Sequence, residues 1–474
     1  MTNPTPVTYK MSKKNKMHFE ISERKVLLRF FDAIFTVTAL CVFGRVFTYD
    51  YFIFDNTNYY ALMLLILYIN VFGAIFEIYN LQIASNQFLA MRSITLTVTT
   101  TVLVYLFTPV LSPELPKQRI AILVFYFIIL GALLFWRFLY VYFLASNRFS
   151  QRAVLICNGE QINQLVTGLE NVDPHYKIVG FVNSDIAQNT TKEKSHIKEI
   201  TREDLLQFVK KNNVSEIVIS SHKTDEMPAG LYQVLLHLLE SGRIIREYTQ
   251  VYESKTQRIP LHFIAMDFYR FFPFSRSNNN KLYLSVVRFM DFLCSVTGLI
   301  ICIVLIPFIF IINAFANKGT LFYTQERVGK NGEVFKIYKF RTMVENSEAN
   351  GIAFASTNDK RITPFGKFMR KTRMDEFPQF INILKGDMAV IGPRPERPYF
   401  VKEIAAIMPF YETRHIIKPG LTGWAQVNYS YGESIEESLI KLQYDLYYIK
   451  HRSIFLDLSI TFKTISTILF YRGQ

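Results

Sequence analysis

LYLSVVRFMDFLCSVTGLIICIVLIPFIFIINAFA, residues 282–316, is a long apolar run interrupted by one proline, Pro307, and followed by a Lys- and Arg-rich region that continues to residue 474. If the run crossed a membrane as a straight helix, that basic region would end opposite the basic N-terminal tail, against the bias that keeps Lys and Arg in the cytoplasm. Pro307 removes a backbone hydrogen bond and crowds the preceding turn, so the helix is expected to kink and return to the side it entered. Arg288 and Asp291, one turn apart near the entrance, suit an interfacial anchor or an ion pair.

Four further apolar segments lie upstream, near 26–48, 59–79, 93–111 and 120–145. Each has roughly the 20 residues a helix needs to cross a bilayer. Residues 1–25 form a basic tail (Lys10, Lys13, Lys14, Lys16, Arg24, Lys25) with no cleavable signal after it. Asp50 and Asp55 sit in the next loop and Arg148 and Arg152 follow the fourth segment, so both ends of a 26–146 bundle are expected in the cytoplasm. Half of the residues are hydrophobic and the net charge is +14. Residues 1–150 carry 13 Lys+Arg against 7 Asp+Glu, residues 151–274 carry 14 against 15, and residues 275–474 carry 26 against 17. The surplus thus falls in the two regions expected to touch lipid, where it suits anionic headgroups or a phosphorylated substrate. No nucleic-acid motif is present, and no nucleic-acid partner is expected.

Between residues 150 and 274 the pattern changes to short β-like runs at 153–157, 178–182 and 216–220 alternating with helical stretches at 161–169, 202–212 and 229–241. This predicts a Rossmann-like α/β domain. Its first turn, Cys157-Asn158-Gly159-Glu160-Gln161-Ile162, has one glycine where a dinucleotide site needs three, so a regulatory or oligomerisation role is expected rather than cofactor binding.

Beyond the apolar run, two β-like stretches flank Gly329-Lys330-Asn331-Gly332, a hairpin signal that should deliver Lys339 and Arg341 together. Arg370-Lys371-Thr372-Arg373-Met374-Asp375-Glu376-Phe377-Pro378-Gln379 then reads as a basic stretch entering a helix. Alone, Asp375 would be a helix cap and Glu376 a dipole partner. Among Arg370, Arg373 and the rigid turn Gly392-Pro393-Arg394-Pro395, the acids instead suit a polyphosphate site, holding Mg²⁺ or attacking phosphorus while the arginines hold phosphate oxygens.

These residues resemble the bacterial sugar transferase family of monotopic phosphoglycosyl transferases. The matching motifs are Phe335-Lys336-Ile337-Tyr338-Lys339-Phe340-Arg341-Thr342-Met343, Asp375-Glu376-Phe377-Pro378-Gln379, Asn382-Ile383-Leu384-Lys385-Gly386-Asp387-Met388, Gly392-Pro393-Arg394-Pro395 and Pro419-Gly420-Leu421-Thr422-Gly423-Trp424-Ala425-Gln426-Val427-Asn428. The resemblance implies transfer of glucose- or galactose-1-phosphate from a UDP-sugar to undecaprenyl phosphate at the bacterial inner membrane, with release of UMP, to begin exopolysaccharide, capsule, O-antigen or glycoprotein glycan assembly. It implies Asp375 as nucleophile and Glu376 as its assistant in Mg²⁺ or proton handling. Lys339, Arg341, Arg370 and Arg394 are implied as phosphate or nucleotide ligands, and Asp445 matches a further acidic position. The chain departs from the family pattern with Ile306 before the proline and Tyr429-Ser430 after the Ala-Gln-Val-Asn run.

The expected fold is therefore a membrane protein with four parts: tail, four-helix transmembrane bundle, Rossmann-like domain, and a monotopic α/β-containing catalytic domain over 282–474 with a Pro-kinked re-entrant helix at 282–316. Membrane lipid is an expected partner, and a homodimer is left open. A membrane-bound nucleotide-sugar dehydratase would need a Tyr-x-x-x-Lys pair, and only Tyr9 and Lys13, in the tail, have that spacing.

Overall fold

The computed structural model describes residues 21–470 apart from 48–58, 81–82, 85–86, 109–110, 114, 117, 144–150, 160–161, 171–175, 184–196, 221–228, 262–277, 279, 318, 346–358 and 430–433. Two compact units are present, Met1–Asn70 with Ile78–Glu247, and Val71–Glu77 with Tyr248–Gln474.

The expected apolar segments form α1 (Ile21–Phe47), α2 (Tyr59–Ile75), α3 (Gln87–Leu106) and α4 (Arg119–Phe143). By length and composition α1, α3 and α4 can cross a membrane, as can the later helix Lys281–Ala316. α2, with 17 residues, is about 25 Å long at 1.5 Å per residue and stops just short of a hydrocarbon core of about 30 Å. α3 is rich in threonine, a residue whose hydroxyl needs a partner away from water. The Thr97, Thr99 and Thr100 hydroxyls donate to carbonyls one turn back at 2.8–2.9 Å, which keeps the helix compatible with apolar surroundings. Asp32 of α1 accepts from Arg137 of α4 at 2.9 Å with both side chains buried, so neither charge faces lipid.

Where the sequence predicts a Rossmann-like domain, a parallel four-stranded sheet has the order β2-β1-β3-β4, formed by β1 (Gln151–Cys157), β2 (Tyr176–Asn183), β3 (Glu216–Ile219) and β4 (Ile244–Glu247). The apolar end of β1, Ala153–Cys157, is fully buried, as a strand covered on both faces should be. Helices α5 (Ile162–Glu170), α6 (Leu205–Lys211) and α7 (Ala229–Glu240) accompany the sheet. β4 was not expected from sequence: it has four residues, and Ile244 is exposed, so it lacks an apolar run.

The two compact units divide at Glu247, and the expected boundary at residue 274 lies outside the described residues. α8 (Tyr248–Thr256) and the residues after it join the second unit because their polar groups find partners there. Glu253 accepts from Lys450 at 2.8 Å, Arg258 donates to the Tyr444 hydroxyl at 2.7 Å, and Ile259 and Leu261 enter the core with Leu442 and Leu446.

α9 (Lys281–Ala316) is helical throughout, including across Pro307. The expected turn-back is thus not a break in the helix; a proline removes one hydrogen bond and can bend a helix without ending it. Along its length α9 is fastened to the body of the second unit. Arg288 donates to the Ile383 and Leu384 carbonyls at 2.7 and 2.8 Å, Asp291 accepts from the Val390 amide at 2.8 Å, and Asn317 donates to the Arg341 carbonyl at 3.2 Å. Arg288 and Asp291 therefore anchor the helix separately rather than pairing with each other. A Cβ on Gly298 would lie 2.4 Å from the Phe380 ring, so glycine permits the close approach. Cys302 and Ile309 pack with Phe340 and Met369. The opposite face exposes Phe289, Ile300, Ile303, Phe308 and Phe315.

β5 (Phe322–Val328) and β6 (Val334–Phe340) form the expected antiparallel hairpin, and Asn331 and Gly332 take the left-handed conformation at its turn. α10 (Pro364–Lys371), α11 (Phe380–Lys385), the parallel pair β7 (Ala389–Ile391) and β8 (Gly420–Thr422), α12 (Pro398–Ile407), α13 (Trp424–Asn428), α14 (Ile435–His451) and α15 (Ile454–Leu469) complete the unit.

Asp32→Ala should strand the buried Arg137 charge and destabilise the bundle by about 3–5 kcal/mol, whereas Asp32→Leu combined with Arg137→Met should cost far less. Thermal unfolding of the full chain in nanodiscs measures both. A double variant less stable than the single one would contradict this account.

Candidate active site

Asp375 and Glu376 lie on a six-residue 3-10 turn, Met374–Gln379, between α10 and α11. Arg373 precedes it in the left-handed conformation (φ +59°), which redirects the chain after α10. The turn has no side-chain cap, so Asp375 is not the helix cap its sequence context allows. Asn382 sets this turn against β6: its side chain donates to the Lys336 carbonyl at 2.7 Å and accepts from the Tyr338 amide at 3.2 Å. That register places Lys339 beside the acids.

Glu376 is buried, and its carboxylate accepts from Lys339 and Arg394 at 3.2 Å each and from Arg373 at 3.5 Å. Burial alone would raise its pKa, but Lys339, Arg394 and Arg373 overcome that and hold it well below the ordinary carboxylate range. Asp375 is equally buried, yet its Oδ1 has no hydrogen-bond partner. Burial and then the adjacent Glu376 charge push its pKa up, against the pull of Lys339, Arg370 and Arg373. Neighbouring carboxylates divide their titration in this way: one takes the cations and the other is left under-compensated. An orphaned carboxylate oxygen in a cationic setting is suited to attack an electrophile or to bind a metal.

Lys339, Arg370 and Arg394 all reach the acid pair's surroundings. Arg370 donates to the Thr342 hydroxyl at 2.9 Å, and Arg394 stays about a third exposed. With Arg373, four cations face two carboxylates, a balance that favours an anionic guest such as a diphosphate. Arg341 goes elsewhere. Its guanidinium donates to the Asn317 carbonyl at 3.0 Å and pairs with Glu345 at 3.1 Å, so it ties down the end of α9. Asp445 is also apart from the acid pair, buried on α14 and bonded to Arg414 at 2.7 Å.

The turn bearing Arg394 is held by close backbone contact. A Cβ on Gly392 would lie 2.4 Å from the Lys418 carbonyl oxygen, and one on Gly420 would lie 2.1 Å from the Gly392 nitrogen. Arg327 donates to the Pro395 carbonyl at 3.0 Å. Arg327 and Arg414 were not singled out from sequence; nothing local distinguishes either from a surface arginine.

Among the described residues no three ligating side chains gather as a metal cage. The acid pair nonetheless fits Mg²⁺, which takes one or two protein carboxylates and completes its shell with substrate phosphates and water. The orphaned Asp375 Oδ1 supplies such an oxygen.

The family model for bacterial sugar transferases matches residues 282–471. A relative from Bacillus subtilis (strain 168), named a putative undecaprenyl-phosphate N-acetylgalactosaminyl 1-phosphate transferase, is 43% identical over 141 residues, 30% of this chain and 79% of the relative. The chain belongs to the bacterial sugar transferase family. It is also 45% identical over 190 residues (40% of this chain, 45% of the relative) to an Aeromonas hydrophila protein named UDP-N-acetylgalactosamine-undecaprenyl-phosphate N-acetylgalactosaminephosphotransferase. A Klebsiella pneumoniae UDP-glucose:undecaprenyl-phosphate glucose-1-phosphate transferase is 31% identical over 272 residues (55% and 56%). The matches to these two longer relatives span about half of their lengths.

Because Asp375 is harder to ionise in the folded chain, its contribution to stability is fully present below the ordinary carboxylate pKa and is lost as pH rises through the higher folded value. Asp375→Asn should therefore raise the melting temperature at pH 8, with a gain that shrinks as pH falls toward 4. Melting the full chain in nanodiscs across this range tests the sign; a loss of stability at pH 8 would mean that the surrounding cations outweigh burial.

Proposed function

We propose that this chain transfers a sugar-1-phosphate from a UDP-sugar to undecaprenyl phosphate, releasing UMP through a covalent phosphosugar on Asp375, and so begins assembly of a surface glycan at the bacterial inner membrane. The observation that carries the reading is the unequal acid pair: Glu376 is neutralised by three cations, while the Asp375 Oδ1 is buried without a partner.

In the first step an Asp375 carboxylate oxygen attacks the sugar-bearing phosphorus. A phosphorus–oxygen bond to the enzyme forms, the bond to the bridging oxygen breaks, and UMP leaves with that oxygen. In the second, a phosphate oxygen of undecaprenyl phosphate attacks the same phosphorus and returns the carboxylate. Lys339, Arg370, Arg373 and Arg394 screen the charge of the incoming anion. Mg²⁺ held by Asp375 and Glu376 would add charge neutralisation on the diphosphate. Glu376, fixed by its cations, orients them toward the donor.

The basic flanks of the apolar helices support a cytoplasmic side for the catalytic body, where UDP-sugars are found, and the exposed apolar face of α9 suits contact with lipid. The donor is a UDP-hexose or a UDP-N-acetylhexosamine. Glucose and galactose follow from the sequence resemblance, and N-acetylgalactosamine joins them through the names of the relatives at 45% and 43% identity.

Membranes holding the full chain, given a panel of radiolabelled UDP-sugars and undecaprenyl phosphate, should release UMP from one or a few donors. Donor alone should leave a phosphosugar adduct on the wild-type protein that maps to Asp375 by mass spectrometry. Asp375→Asn should reduce UMP release by about a thousandfold or more, since the nucleophilic oxygen is gone. UDP as product, or substantial UMP from the Asn variant, would overturn the reading.

A further inference from the structure

Arg414 is buried in the 3-10 segment Pro409–Ile416 and makes three bonds in three directions. Its guanidinium donates to Asp445 on α14 at 2.7 Å, to the Tyr411 hydroxyl, and to the backbone carbonyl of Arg394 at 2.9 Å. Arg394 in turn donates from its own side chain to Glu376 at 3.2 Å. A continuous path thus runs from Asp445 through Arg414 to the backbone of Arg394, and from the Arg394 side chain to the acid pair. With 4% of its surface exposed, Arg414 is shielded from substrate and acts only through what it holds.

We propose that Arg414 is a positioning residue for the transfer reaction: with Asp445 and Tyr411 behind it, it fixes the Arg394 backbone so that the Arg394 side chain meets Glu376 and the donor phosphate. Asp445 then has no direct part in substrate binding. It orients Arg414 and balances its charge, as a buried cation requires. Arginine suits the role because its planar fork supplies several donors at fixed angles, whereas a lysine at the same place retains charge toward Asp445 but cannot reach all three acceptors. The role also accounts for an acidic residue in α14 that is buried away from the acid pair.

This inference rests on the proposed phosphosugar transfer, and its test separates the two. UMP release at saturating donor is measured for the full chain in nanodiscs as wild type, Arg394→Lys, Arg414→Lys and the double variant. Each single change should lower kcat by about tenfold or more, and the double variant should fall within about twofold of Arg394→Lys, because both changes disable one device. Losses that multiply, or an Arg414→Lys enzyme with wild-type kcat, would overturn the proposal. Tyr411→Phe, which removes one acceptor and keeps the ion pair, should give a smaller loss with the same non-additivity and guards against misfolding of the lysine variant. Hydrogen exchange supplies a readout independent of activity. The amides of Gly392, Arg394, Glu396 and Arg397 should exchange faster in Arg414→Lys and Tyr411→Phe, while those of α14 at 442–449 stay protected. Unchanged exchange at 392–397 would overturn the proposal even if the wild-type chain released no UMP, an outcome that would defeat the function reading alone.

Discussion

The three-way neutralisation of Glu376 by Lys339, Arg394 and Arg373 is the interaction on which the site depends. Two adjacent buried carboxylates repel each other, and ionising both is costly unless cations are at hand. Concentrating the cations on Glu376 leaves Asp375 buried with an unpaired oxygen. The same cations, drawn from β6, from the residue before the 3-10 turn and from the 392–396 turn, bind three chain segments together. The charge of the site and the local architecture thus draw on one set of cations.

Those charges need a rigid frame, and the backbone provides it. The Gly392 and Gly420 turns approach so closely that a Cβ on either would overlap the other strand's backbone. Arg327 and Arg414 then fasten the carbonyls of Pro395 and Arg394. Asn382 does the same for β6, donating to the Lys336 carbonyl and accepting from the Tyr338 amide, with a further donation to the Asp387 carboxylate. Such bonds restrict Lys339 and Arg394 to a narrow set of positions around Glu376, the kind of preorganisation that electrostatic catalysis requires.

α9 combines two opposed demands. One face is tied to the catalytic body from Arg288 to Asn317, and the other is apolar and exposed. The fastenings keep the helix with its body, while the exposed apolar face suits lipid. In the bundle, Asp32 and Arg137 answer the same problem differently, removing their charges from lipid by pairing.

The sequence by itself determined the local elements: the apolar helices, because crossing a bilayer demands length and hydrophobicity; the β-like runs at 153–157, 178–182 and 216–220, because doubly covered strands are apolar runs; and the hairpin turn, because Asn331 and Gly332 tolerate positive φ. It also exposed the acid pair among its arginines. Tertiary structure alone decided which acid the cations neutralise, that Arg341 clamps α9 rather than joining Lys339, that Asp445 meets Arg414, and that 248–261 belong with the second unit. The distinction has a physical cause. Hydrophobic periodicity and turn preference are properties of neighbouring residues, whereas charge compensation is fixed by distances between side chains such as Arg414 and Asp445, which lie far apart along the chain.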